Sequence, residues 1–184
     1  IMATLATTNI KHASSSSNNI VLNSDGTSYI PGHIIQVVNS TTTTKVSNTT
    51  TTFVDSGLSG TITPSSTSSK ILVLICQATN VRMTGAVGGG YQILRGSTVI
   101  QQAAAIDGNG IPIQIYIGNM ASSVDFYFHH PMQILDSPST TSAVTYKTQQ
   151  RLAVSGNNRE FVSQPQSTGT INGISRMTLM EVAA

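Results

Sequence analysis

The sequence predicts an all-β fold, a jelly-roll-like antiparallel β-sandwich with an extended N-terminal arm, and three observations carry that expectation. Charged residues are 9% of the 184-residue chain, against a usual ~25%. Mean hydropathy is nevertheless only +0.07, so the chain is polar through hydroxyls and amides. Thr, Val, Ile and Tyr fit a pleated surface, whereas Ser and Asn prefer turns and caps to helix interiors. Short apolar or alternating segments recur between Gly, Pro, Asn and Ser clusters, the pattern of many short strands. No stretch sustains a helical period: the one Ala-rich piece, QQAAAIDGNG, runs into Gly108 and Gly110 and reads equally as strand plus turn.

Residues 1–32 lack sustained alternation, and only Ile20 and Leu22 can face a partner together. Such pieces bury too little apolar area to offset about 1–2 kcal/mol of backbone entropy per residue. They are therefore read as an arm that gains order from a neighbouring surface, by adding a strand to an exposed edge, with Ile20, Leu22 and Ile30 as its contact residues. Residues 33–184 are the sandwich domain. Its expected strands are HIIQVVN (33–39), TTTTFVDSG (49–57), LSGTITP (58–64), KILVLICQAT (70–79), GYQILRGSTVIQQA (90–103), IPIQIYIG (111–118), VDFYFHHPMQIL (124–135), AVTYKTQQRLAV (143–154) and ISRMTLMEVAA (174–184). In the strand at 143–154, Val144, Tyr146 and Thr148 form one face, opposed by Thr145, Lys147 and Gln149. ILVLIC is apolar throughout, which suits a central strand covered on both sides. The Pro-Ser-Thr runs at 63–70 and 136–142 read as compact loops that satisfy their own backbone.

Composition narrows the function classes. The net charge of +2 is scattered, with no basic stripe interleaved with aromatics, so nucleic acid is not an expected partner. No apolar run approaches the ~20 residues of a membrane span, and the N-terminus lacks the charged-then-apolar order of a secretory signal. The single cysteine, Cys76, excludes an intrachain disulfide framework and reads as a small buried hydrophobe.

Chemistry-bearing motifs are sparse. The glycine-rich TGAVGGGYQ (84–92) lacks the spacing of a dinucleotide or phosphate loop and reads as a hairpin connection. No cofactor is expected. Neither a G-x-S-x-G nor an H-E-x-x-H motif occurs and acidic residues are few, so no catalytic residue is assigned and the chain is read as non-enzymatic. His129 and His130 project to opposite faces of a strand and do not share a metal; Asp125 shares a face with His129, but polar-face positions explain both, and no metal site is assigned. Sugar contacts use aromatic rings, and the candidates for weak glycan contact are Tyr91, Tyr116 and Tyr127.

Several phrases stand together in order: IKHASSSSNNIVLNSDGT, TTTTFVDSGLSGTITPSSTSSKILVLICQ, YQILRGSTVI, ILDSPSTTSAVTYKTQ and MTLMEVAA. Together they resemble a family of tail-fibre-like virion proteins of marine tailed phages, including phages of cyanobacteria, over essentially the whole chain. The resemblance implies a β-sandwich module on the exterior of a phage particle, commonly a homotrimer, attached to other virion proteins through its N-terminal segment. It carries over no catalytic or ligand residue. Host-surface attachment is the implied role; capsid decoration or a head fibre is the alternative, and a polysaccharide-cleaving spike is disfavoured by the scarcity of carboxylates.

Overall fold

The fold is described from a computed structural model, for residues 7–16, 20–22, 24, 28–30, 32–83, 85, 87–102, 115–118, 122–167 and 171–183. The described residues hold strands and turns and no helix, hence none long and apolar enough to cross a membrane. In chain order the strands are β1 (Asn9–Ile10), β2 (Ile20–Leu22), β3 (Ser28–Tyr29), β4 (Ile34–Thr42), β5 (Val46–Asn48), β6 (Val54–Ile62), β7 (Lys70–Met83), β8 (Val87–Arg95), β9 (Thr98–Gln102), β10 (Ile115–Ile117), β11 (Val124–Asp136), β12 (Val144–Leu152), β13 (Glu160–Ser163), β14 (Gln166–Ser167), β15 (Ile171–Asn172) and β16 (Ser175–Val182).

Two antiparallel sheets form the body, an arrangement consistent with a β-sandwich. One has the order β4-β16-β7-β13-β5, with β11 on the other edge of β7; the second has the order β10-β8-β12-β6, with β9 also on β8. Alternation decides which residues meet between them. Leu58, Ile62, Ile93, Val144 and Tyr146 from one sheet interlock with Ile71, Val73, Ile75, Met177 and Leu179 from the other. A second apolar cluster, Val81, Tyr91, Leu152 and Phe161, fills the opposite end, where the Tyr91 and Phe161 rings meet edge to face at 5.2 Å.

Between the two clusters runs a buried polar seam. Ser56 and Thr148 share a hydroxyl bond of 2.5 Å, Thr148 donates to Gln77 at 3.1 Å, and Gln77 donates to Ser175 at 3.0 Å. The Tyr91 hydroxyl bridges Thr79 at 2.8 Å and Ser163 at 3.0 Å, and Ser163 donates to Gln150. A one-residue slip of any of these strands would leave hydroxyls and amides buried without partners, so the seam fixes register.

Several boundaries differ from expectation for identifiable reasons. The segments 49–57 and 58–64 contain one strand, β6, which continues past Gly57, at φ +83°, across a bulge between the Asp55–Gln149 and Ser59–Lys147 pairs. The segment 90–103 is two strands, folded at Gly96 with φ +59°. Gly88, Gly89 and Gly90 belong to β8 and not to a hairpin loop, and β7 and β8 lie in different sheets, so the two strands do not pair as a hairpin. A Cβ on Gly89 would stand 2.6 Å from the Arg151 carbonyl oxygen and 2.7 Å from the Phe161 ring. The run 103–114 lies outside the described residues.

The arm is not one extended segment. Its described strands form a small antiparallel sheet, β1-β2-β3, and pair only with one another. Ile10 stands opposite Ile20, two residues from Leu22, so the three share a face; Ile10 and Leu22 are exposed and Ile20 and Ile30 half-buried.

Candidate functional site: the outer face of β4, β16, β7 and β11

The all-apolar stretch in β7 predicted cover on both sides. Only the inner residues Ile71, Val73 and Ile75 are buried; their outward neighbours Leu72, Leu74 and Cys76 are half-exposed, so Cys76 is not the buried hydrophobe its surroundings implied. Register carries the apolar row across four strands, because Val37 pairs with Met180, Met180 with Leu72, and Leu72 with Leu135. Val37 is 57% exposed and Leu135 52%, and Ile34, 45% exposed, continues the patch beside Val182.

Further along β7 the outward residues are Ala78 and Asn80, and both are buried. The segment carrying β14 and β15 covers Ala78, with Gln164 N–H donating to the Ala78 carbonyl at 3.0 Å. Beside it a cleft of 280 Å³ is lined by Tyr127, His129, Pro165 and Asn172 among others. A groove of 630 Å³ adjoins it, lined by Leu74, Cys76, Pro131, Gln133, Arg176 and Thr178 among others. Cys76 Sγ lies 3.6 Å from His129 Nδ1, at the junction of groove and cleft.

The predicted aromatic contacts separate. Tyr91 is fully buried in the second cluster, with burial raising its ionisation well above the usual tyrosine range, so its ring is withdrawn from any ligand. The Tyr116 side chain lies outside the described residues. Tyr127 is 47% exposed at the cleft, with its ring open to contact. His130 lies on the face opposite His129, as alternation predicted; it points inward and stacks on Tyr91 at 5.8 Å, and burial holds its pKa below the usual histidine value.

Asp125 does not join His129. It receives Arg82 at 3.1 Å, and Asn80 donates to the same carboxylate. The other described carboxylates are likewise engaged. Asp136 accepts from Arg95 at 2.8 Å and from the Tyr146 hydroxyl at 2.7 Å, Asp55 from Lys147 and Gln149, and Glu160 faces Arg82. Glu181 is fully buried and accepts from Ser65 and Gln36; burial works to raise its pKa, yet the bonds from Gln36, Ser65 and Ser69 hold it lower than usual. Among the described residues no group of three or more His, Cys, Asp and Glu is placed to hold a metal. Comparisons with protein-family models and with curated proteins gave no match.

Proposed function

We propose that the chain is a non-enzymatic structural module of a tailed-phage virion, displayed on the particle exterior and contributing to host-surface attachment. The observation that carries the assembling role is the apolar row Ile34, Val37, Leu72, Leu135, Met180 and Val182 on an outward sheet face. Exposed apolar patches of that kind mark association surfaces. A homotrimer is the stoichiometry that the resemblance brings.

The finer fold reading is an eight-stranded jelly roll. With β4, β6, β7, β8, β9 plus β10, β11, β12 and β16 taken as strands one to eight, the sheets run 1-8-3-6 and 2-7-4-5. Those orders are what two interleaved Greek keys produce, which supports the reading. The arm, whose strands pair among themselves and expose Ile10 and Leu22, is the segment for docking on another virion protein. Tyr127, with its exposed ring, is a candidate for weak glycan contact, which display in many copies would amplify without new contacts.

Two measurements test the proposal. Light scattering on the purified chain is expected to give a trimer, and a monomer would contradict the assembly reading. Labelled protein is expected to bind host cells in a Tyr127-dependent way. Binding absent at particle-like valency, with the chain found at capsid lattice positions by imaging, would replace attachment by shell decoration.

A further inference from the structure

Two features of the outer face lie beside Tyr127 and outside its glycan contact: a strained cap over the cleft, and a cation without an ion pair in the adjoining groove. In the cap, Gln164 is wholly buried at φ +50°. That left-handed backbone is made harder by Pro165, since a residue before proline favours extended conformations. Its side-chain amide, oriented to match its neighbours, offsets the strain by donating to the Thr44 and Ser56 carbonyls at 2.9 Å, and its backbone N–H donates to the Ala78 carbonyl at 3.0 Å. Gly173 N–H closes on the Pro165 carbonyl at 2.8 Å, and a Cβ on Gly173 would stand 2.7 Å from Pro165 Cδ. Pro165 and Asn172 are thereby fixed as a rigid wall of the cleft that Tyr127 and His129 also line. A preformed wall leaves little ordering to be done on binding.

The groove supplies the charge. Arg176 lines it and has no ion pair among the described residues. No described Asp or Glu lines groove or cleft, and Asp125, two residues from Tyr127, is taken by Arg82 and Asn80. Register sets the span, because Arg176 pairs with Cys76, Cys76 pairs with Pro131, and Pro131 is four residues along β11 from Tyr127. Four strand rises and two strand spacings place Arg176 and Tyr127 about 16 Å apart. That is the length of a short oligosaccharide, not of a single sugar.

We propose that cleft and groove together bind an acidic oligosaccharide of the uronic-acid class, an inference that rests on the attachment reading and gives it a ligand chemistry. One sugar ring stacks on Tyr127 while its hydroxyls meet His129 and Asn172. A carboxylate further along meets the Arg176 guanidinium, whose planar fork takes it through two parallel hydrogen bonds. Leu74 and Pro131, which line the groove, pack against the apolar faces of the rings between. The acid end points toward β16, since the Asp125 carboxylate stands at the other. A side-chain ligand site of this kind suits a sugar better than an extended acidic peptide, because β7 is paired along both edges and offers no free main-chain ladder. The association row stays clear, as Met180 is four residues along β16 from Arg176 and Leu135 eight along β11 from Tyr127.

The test passes trigalacturonate, and the neutral trigalactoside of the same linkage, over the immobilised full chain. Trigalacturonate is expected to saturate at one per chain and to bind about three- to ten-fold more tightly than the neutral sugar, with the preference fading at high salt. Arg176→Gln is expected to bring trigalacturonate down to the neutral sugar's affinity, and Tyr127→Ala to weaken both sugars alike. Equal binding of the two sugars, binding of neither, or a preference that survives Arg176→Gln overturns the proposal. So does a triglutamate peptide that competes as well as trigalacturonate, or a phosphate-bearing trisaccharide that binds more tightly than it. The attachment reading fails separately: Tyr127-dependent binding to host cells without acid preference leaves attachment standing, whereas acid-selective binding of the sugar without binding to cells removes attachment alone.

Discussion

Tyr91 illustrates what a single hydroxyl does in this core. It closes the polar seam by touching both Thr79 and Ser163, so Tyr91→Phe leaves those groups short of a partner and is expected to destabilise the protein by about 1–3 kcal/mol in urea unfolding. His130, stacked on the same ring, makes stability pH-dependent. Its pKa is depressed in the fold, so as pH falls the unfolded chain takes up the proton first. The contribution is intact above the unfolded value near about 6.5 and is lost as pH falls through it toward the folded value. The unfolding midpoint is thus expected to drop between about pH 7.5 and about pH 5, and His130→Gln is expected to flatten that slope. Glu181, held low by its donors, loses its contribution only in more acid solution, as pH falls through its folded value. Alternation in the sequence set His129 and His130 on opposite faces, but nothing local could reveal that Cys76 is the neighbour of one and Tyr91 of the other, because both contacts are made between strands remote in sequence.

Strand β8 contradicts the ordinary meaning of three consecutive glycines. Gly89 is small because β12 and the Phe161 ring lie against it, so Gly89→Ala is expected to cost about 1–3 kcal/mol and lower the thermal midpoint by several degrees. Composition alone reads such a run as a loop, since close approach of a neighbour leaves no mark in the segment itself. The same limit hid β13, whose Phe161 and Val162 follow an Asn-Asn turn signal and pair with Val81 and Asn80 at the far end of β7. Strands with their own alternation were legible: β4, β11, β12 and β16 each lie within a residue or a few of the expected spans. β7 was legible as central, while the cover expected on both its sides is present on the inner side and over Ala78 and Asn80 alone on the outer.

At the scale of the molecule, that half-cover is what makes assembly testable. Placing charge at Val37 and Leu135 together, on opposite edges of the apolar row, is expected to convert the assembled species to monomer without lowering the monomer's unfolding midpoint, since both side chains are already solvent-facing. Light scattering with parallel urea melts checks both halves; an unchanged mass would move the association surface elsewhere. The all-β class was visible in composition and pattern, whereas the inward or outward fate of each apolar residue depended on sheet order, which composition does not encode. A last consequence follows from the rung at which the body opens and closes, where Gly32 N–H donates to the Ala183 carbonyl at 2.8 Å and Ala183 N–H returns to His33 at 2.9 Å. Entry and exit stand side by side, so the body can be grafted as a bulb into a surface turn of an unrelated carrier without prising that turn apart, or its ends joined and new ones cut elsewhere.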